Sequence, residues 1–573
     1  MYIEFNLSGL MRVNSISRGD ATVWRVGSVD VARVIGSISN LESRSGEWRG
    51  RFWYFEGRIF KRNSAQSPSD TEIISCLLYS PLDFCELFWG TYRIVVLDVE
   101  RGELCALSDP CGQSPIYLHV DRGGTWHLCS EMDDFVTSGN ISLTVNFEYL
   151  HRYLCFEKID PKATGWQEIE CLPAGHLLKI KKHGGSSAVP MWRPEFVKPR
   201  EQALDPIDTL QFVVEALLHG REKIYLELSG GVESTAIAVA LARSGMGEKV
   251  IAVTYNDPSM TASDEAEIAG TVANKLKIRH QVYSLNEILP FSPFSKPPLV
   301  SRPSLLLAQL SQLHNQAYVG QIDGDTSVVN GHGGDALFLA PPPLGAPIEA
   351  LMRLRLGRAM TSAFDLAIYY RTSLISILAH NLRVLCNGSM SCSTVNTENR
   401  AIRPLSTLNH AFRDTSMLAS KLRLRPARLQ QIHQFIATLD ETLVSLFPLK
   451  GRSIFPFLSQ PIVELALSIN PEELFSGYFD RKLVRNSIYR VSDLGTVWRM
   501  GKGDTTRNSL NGVYKHRDHI RDVCLNGRLV AAGIVNRAVM EHQINRALRG
   551  CHDPLKEITS VFCAEVFIEG GVR

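Results

Sequence analysis

No stretch of the 573 residues stays apolar long enough to span a bilayer, which excludes a membrane-spanning helix. The opening, MYIEFNLSGLMRVNS, lacks a basic start followed by an apolar run, so it does not read as a signal peptide. A charge excess of one sign is lacking too. The 61 Lys and Arg against 59 Asp and Glu leave a net +2, so nothing draws the whole chain to nucleic acid or to an anionic membrane. The 12 cysteines include no CxxC pair, which removes the usual zinc pattern. A disulfide framework does not suit a chain of this length. Reduced thiols in a cytoplasmic protein are expected. Internal repeats and low-complexity tracts are absent as well.

What is present divides in two. A chain this long exceeds one core. Its 45% hydrophobic and 21% charged residues are ordinary for a globular protein. RFWYFEGRIF, TYRIVVLDVE and GTWHLCS are short aromatic and β-branched runs broken by Gly, Asp and Pro, and they predict a β-rich domain over 1–190. The polar, Pro-containing SSAVPMWRPEFVKPREQALDP reads as a linker, bounded at 191–205. From 206 to 573 the period changes. DTLQFVVEALLHG reads as a helix, KIYLELSGG as a strand, STAIAVALARSG as a helix, KVIAVTYND as a strand, SDEAEIAGTVANKLK as a helix and RHQVYSL as a strand. This alternation predicts a parallel α/β sheet with right-handed crossovers, binding ligands at the carboxyl ends of its strands. After about Pro341 the pattern is mostly helical.

The strongest motif runs from Leu228 through Ser229-Gly230-Gly231-Val232-Glu233-Ser234-Thr235. It leaves a buried strand and opens a helix. Glycines let backbone N–H groups approach an anion closely, the helix N-terminus adds a positive dipole end, and Ser229, Ser234 and Thr235 add hydroxyl donors. The loop suits pyrophosphate. No Lys follows the glycines, so it is not a Walker A loop. The strand end at Val253 and Thr254 is the expected seat of the rest of a ligand whose pyrophosphate lies on this loop.

This loop resembles the SGG-x-D-S pyrophosphate loop of the asparagine synthetase and β-lactam synthetase superfamily. Ser263-Asp264-Glu265 resembles that family's SDE segment, and Asn330-Gly331-His332-Gly333-Gly334-Asp335 its second glycine-rich acidic loop. Asp109-Pro110-Cys111-Gly112, Cys129-Ser130-Glu131 and Leu172-Pro173-Ala174-Gly175-His176 resemble elements of its N-terminal domain. The resemblance implies a glutaminase-like (Ntn-type) sandwich followed by a PP-loop adenine-nucleotide α-hydrolase-like domain with a parallel sheet and added helices. It also implies ATP as cosubstrate, Gly331 beside the nucleotide, and Mg2+ held by Glu233 and Asp335. Both are hard oxygen donors, as Mg2+ requires. Glu233 departs from the family's Asp by one methylene, and a solvated helix-start acid is the alternative reading of that residue.

Family members that take ammonia from glutamine expose an N-terminal Cys as nucleophile. This chain has Tyr2, and its first cysteine is Cys76. The resemblance therefore implies an N-terminal domain with the fold but not the thiol chemistry, and an amine already present in the substrate. GHGGD followed by ALFLAPP, and Phe455-Pro456-Phe457-Leu458-Ser459-Gln460-Pro461, resemble segments of the macrolactam synthetases that close lasso peptides. Arg481 to Lys502, with WRMGKG, resembles the segment carrying the essential Lys; Lys502 between Gly501 and Gly503 is the implied catalytic cation, with Arg499 nearby. His332 suits a general base at neutral pH, or is a satisfied loop histidine. Asp365 is a candidate partner for it.

The implied reaction is macrolactam (isopeptide) formation in a ribosomal precursor peptide through the acyl-adenylate of an Asp or Glu side chain. The implied partners are that precursor, a leader-peptidase and a leader-binding protein, with neither nucleic acid nor membrane. A β-lactam-type or asparagine synthetase-like enzyme acting on a small molecule is the alternative, and a catalytically dead nucleotide-binding regulator a third. The basic clusters Arg353, Arg355, Arg358 and Lys421, Arg423, Arg425, Arg428 read mainly as solvated helix faces.

Overall fold

The computed structural model describes residues 2–6, 21–26, 29–35, 43–98, 100–137, 141–155, 159–181, 185–198, 204–256, 265–284, 289–294, 296–314, 326–387, 401–402, 425–445, 453–499 and 506–571. The aromatic runs near the start become long antiparallel strands, β5 (Arg51–Lys61) and β6 (Phe88–Asp98), paired from Arg51↔Asp98 to Lys61↔Phe88. With β4 (Ser43–Trp48), β7 (Glu103–Ser108), β11 (His176–Lys181) and β12 (Ser186–Pro190) they form one six-stranded sheet, ordered β12-β11-β7-β6-β5-β4. The second sheet is ordered β10-β8-β9-β1-β3-β2. Its strands are β1 (Tyr2–Asn6), β2 (Ala21–Val26), β3 (Val29–Ile35), β8 (Tyr117–Val120), β9 (Thr125–Cys129) and β10 (Glu170–Cys171). Tyr54, Val95, Leu97 and Leu104 from one sheet pack against Leu118 and Leu128 of the other and Ile116 just before β8, so the domain is a sandwich.

Its turns explain the motifs. Asp109 is fully buried and accepts backbone N–H bonds from Cys111 (3.0 Å), Gln113 (3.2 Å) and Ser114 (2.7 Å). Burial pushes its carboxyl up to about 6, although those donors and Arg93 oppose the shift. The Asp109 carbonyl accepts the Gly175 N–H at 3.2 Å, tying the DPCG turn to LPAGH.

The polar stretch read as linker opens with a strand, just ahead of the bound set at 191. Ser186–Pro190 is a strand, paired with β11 over Ile180↔Ser186 to His176↔Pro190. Trp192 is buried and donates its indole N–H to Glu464 Oε1 at 3.0 Å. A Pro-rich polar stretch masks the strand because only alternate residues face the core.

The second half holds a five-stranded sheet, β15-β14-β13-β16-β17, parallel throughout. It comprises β13 (Lys223–Glu227), β14 (Val250–Asn256), β15 (Arg279–Ser284), β16 (Thr326–Val329) and β17 (Ser453–Ile454). The helices Pro206–Leu217, Val232–Arg243 and Glu265–Leu276 form where the periodicity predicts them. Asp205 starts the first of these, its side chain accepting the Ile207 N–H (2.9 Å), with Pro206 in the first turn. The chain runs from β13 to β14 on one side and later to β16 on the other. The crevice between the β13 and β16 ends is therefore a topological switch point, where ligands bind in such sheets.

The two halves share a core. Trp89 packs on Phe212 with ring centroids 5.4 Å apart, and Trp166 lies on Phe567 of the last helix at 4.7 Å. Gln460, fully buried, donates to the Cys85 carbonyl at 2.8 Å, and Gln113 donates to the Leu458 carbonyl at 3.0 Å. The FPFLSQP segment thus faces the N-terminal domain. No described helix is long and apolar enough to cross a membrane.

Candidate active site

Two loops meet at the switch point. The first leaves β13 as Leu228-Ser229-Gly230-Gly231. Gly230 has φ +69°, and a Cβ there would stand 2.7 Å from Ile268 Cγ2, so both backbone conformation and space require glycine. Gly231 caps the helix Val232–Arg243 without any side-chain hydrogen bond, leaving its first-turn N–H groups for an anion. Ser229 and Ser234 hydroxyls lie 3.3 Å apart, a weak contact that leaves both able to turn toward a ligand.

The second loop, Asn330 to Asp335, leaves β16 and presses on the first. A Cβ on Gly331 would lie 2.6 Å from Glu233 Cβ, and one on Gly334 would lie 2.6 Å from Glu233 Cγ. These glycines are small so that the loops can touch. Gly334 opens the short helix Gly334–Leu337, whose Asp335 carboxylate accepts the Ala336 N–H at 2.9 Å.

The loops line a cavity of about 440 Å3, within the range of small-molecule sites. Of the residues expected at the nucleotide, Leu228, Ser229, Glu233, Ser234, Val253, Thr254, Gly331, His332 and Asp335 face it. Gly230 and Gly231 line a smaller cavity on the other side of Glu233, with Arg481, Arg485, Thr496 and Arg499. Thr235 is fully buried behind the loop, and its hydroxyl has no hydrogen-bond partner. The Thr254 hydroxyl is spent within the protein, donating to the Leu228 carbonyl (2.5 Å) and meeting His280 Nε2 at 2.8 Å. It shapes the strand end; the nucleotide would meet backbone there. Lys502, Ser263, Asp264, Lys421 and Arg423 lie outside the described residues.

His332 hangs over the cavity. Its backbone N–H donates to Asn330 Oδ1 at 3.0 Å and its ring stands edge-on to Phe455 at 6.0 Å. Nε2 lies 3.5 Å from Glu441 Oε2, an ion-pair distance that falls short of a well-aimed hydrogen bond, and this buried nitrogen has no hydrogen-bond partner. Burial pulls its pKa below the usual histidine value, against the nearby Asp335 charge and the Thr438 backbone. The carboxylate partner is Glu441, from the helix Pro426–Ser445. Asp365 does not serve: it lies beside Gly477 and Lys482, where burial raises its pKa against the lysine's charge.

Glu233 has a partner that sequence reasoning did not assign. One of its oxygens pairs with Arg481 Nη1, whose Nε donates to Asp480 Oδ1 at 3.0 Å. Glu227, Tyr255 and Gln309 also line the cavity unanticipated. Glu227 and Tyr255 come from the ends of β13 and β14 and Gln309 from a distant turn, with no motif to mark them. The basic clusters prove internal in part. Arg355 pairs with Glu472 (2.7 Å) and Glu473 (2.8 Å), Arg353 with Glu349 (2.7 Å), and Arg428 is buried against the Ile469 carbonyl.

The donor set fits a nucleotide: a glycine cradle that side chains would fill, free helix-start N–H groups and flanking hydroxyls. Two carboxylates, Glu233 and Asp335, are too few for an all-protein metal site. Glu233 already pairs with Arg481, so a Mg2+ here would depend on Asp335 together with phosphate oxygens and waters.

Comparison with known proteins places this geometry. The asparagine synthase family matches residues 207–568, and the glutamine amidotransferase domain family matches residues 57–192. No curated protein sequence matches the chain. Among solved structures, an allosteric regulatory enzyme of purine biosynthesis is 12% identical, over 48% of this chain and 70% of that one, with a TM-score of 0.20. Glutamine phosphoribosylpyrophosphate amidotransferase from B. subtilis, complexed with ADP and GMP, is also 12% identical, over 53% of this chain and 64% of that one, with a TM-score of 0.18. Scores this low carry no weight beside the topology and the family matches. A glutamine amidotransferase-like sandwich precedes a parallel-sheet domain whose switch-point cavity suits ATP, and the chain belongs to the asparagine synthase family, as an ATP-dependent amide-forming ligase.

Proposed function

We propose that this ligase closes a macrolactam in a ribosomal precursor peptide, joining an Asp or Glu side-chain carboxylate to the peptide's own N-terminal amine. The observation that carries the reading is His332: a buried imidazole over the nucleotide cavity, backed by Glu441, with Nε2 making no hydrogen bond. An amine nucleophile needs a base, and an imidazole kept neutral by burial with a carboxylate 3.5 Å from Nε2 suits that role.

In the first step a carboxylate oxygen attacks the α-phosphorus of ATP. The bond to the bridging oxygen breaks and pyrophosphate leaves toward the Ser229 to Ser234 loop. In the second step the amine nitrogen attacks the acyl carbon, the C–O bond to AMP breaks and His332 takes the amine's proton. The Lys502 cation is assigned to the charge on the acyl oxygen and the departing AMP. Asp335, with phosphate oxygens and water, would hold Mg2+, which supplies charge neutralisation on the phosphates.

Support for a peptide comes from the GHGGD resemblance and from the helix Leu356–Tyr369. Its Leu356, Met360, Phe364 and Ile368 form an exposed apolar strip at four-residue spacing, and Tyr369 reaches Asp480 behind the loop. A leader-peptidase and a leader-binding protein would supply the trimmed substrate. The second reading, a small-molecule amide synthetase, is favoured by the modest cavity volume. Incubation with ATP and peptides bearing a free amine and one internal Asp or Glu distinguishes them. The expected product is the peptide less one water, with AMP, and no glutamate from added glutamine because β1 carries no thiol. Turnover of free amino acids with no peptide product would favour the second reading.

A further inference from the structure

We propose that Glu233 works through Arg481: the loop carboxylate holds that guanidinium at the pyrophosphate half of the nucleotide site and is not itself a metal ligand. The inference rests on the acyl-adenylate reading, which sends pyrophosphate out through this loop.

Glu233 occupies the first turn of the helix Val232–Arg243 and lines both the nucleotide cavity and the smaller one behind the loop. Its stem is fixed from above by Gly331 and Gly334, each so close that an added methyl would strike it. The stem's direction is therefore set by the second loop, and it delivers one carboxylate oxygen to Arg481. An Asp at this position would withdraw that carboxylate by about 1.5 Å, one C–C bond length, and lose the contact.

Arg481 is built in as firmly. It is 8% exposed, has a left-handed backbone (φ +50°), and is gripped on its other edge by Asp480. Asp480 in turn accepts from Arg485 (2.8 Å) and from the Tyr369 hydroxyl (3.0 Å). Glu233 takes Nη1 and Asp480 takes Nε, so Nη2 keeps its donors: it makes no hydrogen bond to a described residue. The smaller cavity presents Arg481 and Arg499 beside the Gly230 and Gly231 backbone. Glu233 and Asp480 offset Arg481 and Arg485, and Glu265 stands 4.0 Å from Arg499, so these charges balance and what the site offers phosphate is a fixed guanidinium with donors to spare. A planar guanidinium held by two carboxylates is preorganised for phosphate oxygens, whose charge grows as pyrophosphate departs. Glu233 is thus a positioning residue and Arg481 the group that touches the leaving group.

The test is calorimetric titration of pyrophosphate into the full-length protein, with and without Mg2+, with thermal melts to confirm folding. Arg481→Met should weaken pyrophosphate binding by about 10- to 100-fold, the range of a charged hydrogen bond, and Arg481→Lys should recover part of it. Glu233→Asp should weaken binding, although it restores the family's residue. In the Arg481→Met background, Glu233→Gln should change affinity by less than about twofold, because the two act as one unit. The proposal is overturned if Arg481→Met binds as wild type, if Glu233→Asp binds more tightly in Mg2+, or if Glu233→Gln costs a further Mg2+-dependent loss in the Arg481→Met background. Wild type that binds no pyrophosphate also overturns it. ATP–pyrophosphate exchange then separates the two failures: exchange that persists spares the acyl-adenylate reading, and exchange that is absent sinks both.

Discussion

His332 carries the most exposed prediction at the scale of single residues. Burial lowers its pKa below about 6.5, so the folded protein favours the neutral ring. Above that value the ring is neutral in folded and unfolded chains alike. As pH falls through it the unfolded chain takes the proton first, so the stability tied to neutral His332 is lost on the acid side. The catalytic consequence has the same sign. The acid limb of kcat/KM should lie below pH 6.5, and His332→Gln should remove it while slowing amide formation about 100- to 10,000-fold with ATP binding retained. A limb left in place in the variant, or a normal rate, would return His332 to a structural role. The sequence pointed to this histidine through GHGGD, but not to Glu441, which arrives from a helix more than a hundred residues later with no motif around it. Glu233 was visible as a departure from Asp, and only the packed loops show why the extra methylene is there: it reaches Arg481.

At the scale of elements, loop contact is the point that a small substitution tests. Gly331→Ala puts a methyl 2.6 Å from Glu233 Cβ and 3.1 Å from the Ser234 nitrogen, so the two loops must part. Overpacking of this kind costs about 1–3 kcal/mol. The variant should fold with a lowered Tm and lose nucleotide affinity, measured by calorimetry with ATP. Gly357→Ala, where nothing lies within 4 Å, should leave both unchanged. Equal ATP affinity for Gly331→Ala would mean the loops do not act together. The βαβαβ run was legible because buried strands and amphipathic helices differ in period, and every predicted element of it is present. The strand Ser186–Pro190 was not, since an edge strand half in solvent looks like polar linker. FPFLSQP was legible as a motif but not as a contact: its Gln460 serves the Cys85 carbonyl of the other domain.

At the scale of the whole molecule, the N-terminal sandwich packs directly against the ligase half. Its outer sheet face continues into the core beneath the parallel sheet, and the last helix returns to cover Trp166. Composition gave the two-domain organisation because length and a change of period are global signals. It did not give the interface, which depends on which faces meet. The proposed reaction requires the molecule to move a carboxylate oxygen onto the α-phosphorus of ATP, and isotope tracing reads that event directly. Peptides with a free amine and one Asp or Glu labelled with oxygen-18 in its carboxylate would be turned over with ATP, and the nucleotide and phosphate products weighed by mass spectrometry. The acyl-adenylate account predicts one labelled oxygen in AMP and none in pyrophosphate. Label in inorganic phosphate alongside ADP, or AMP formed without label, would contradict it.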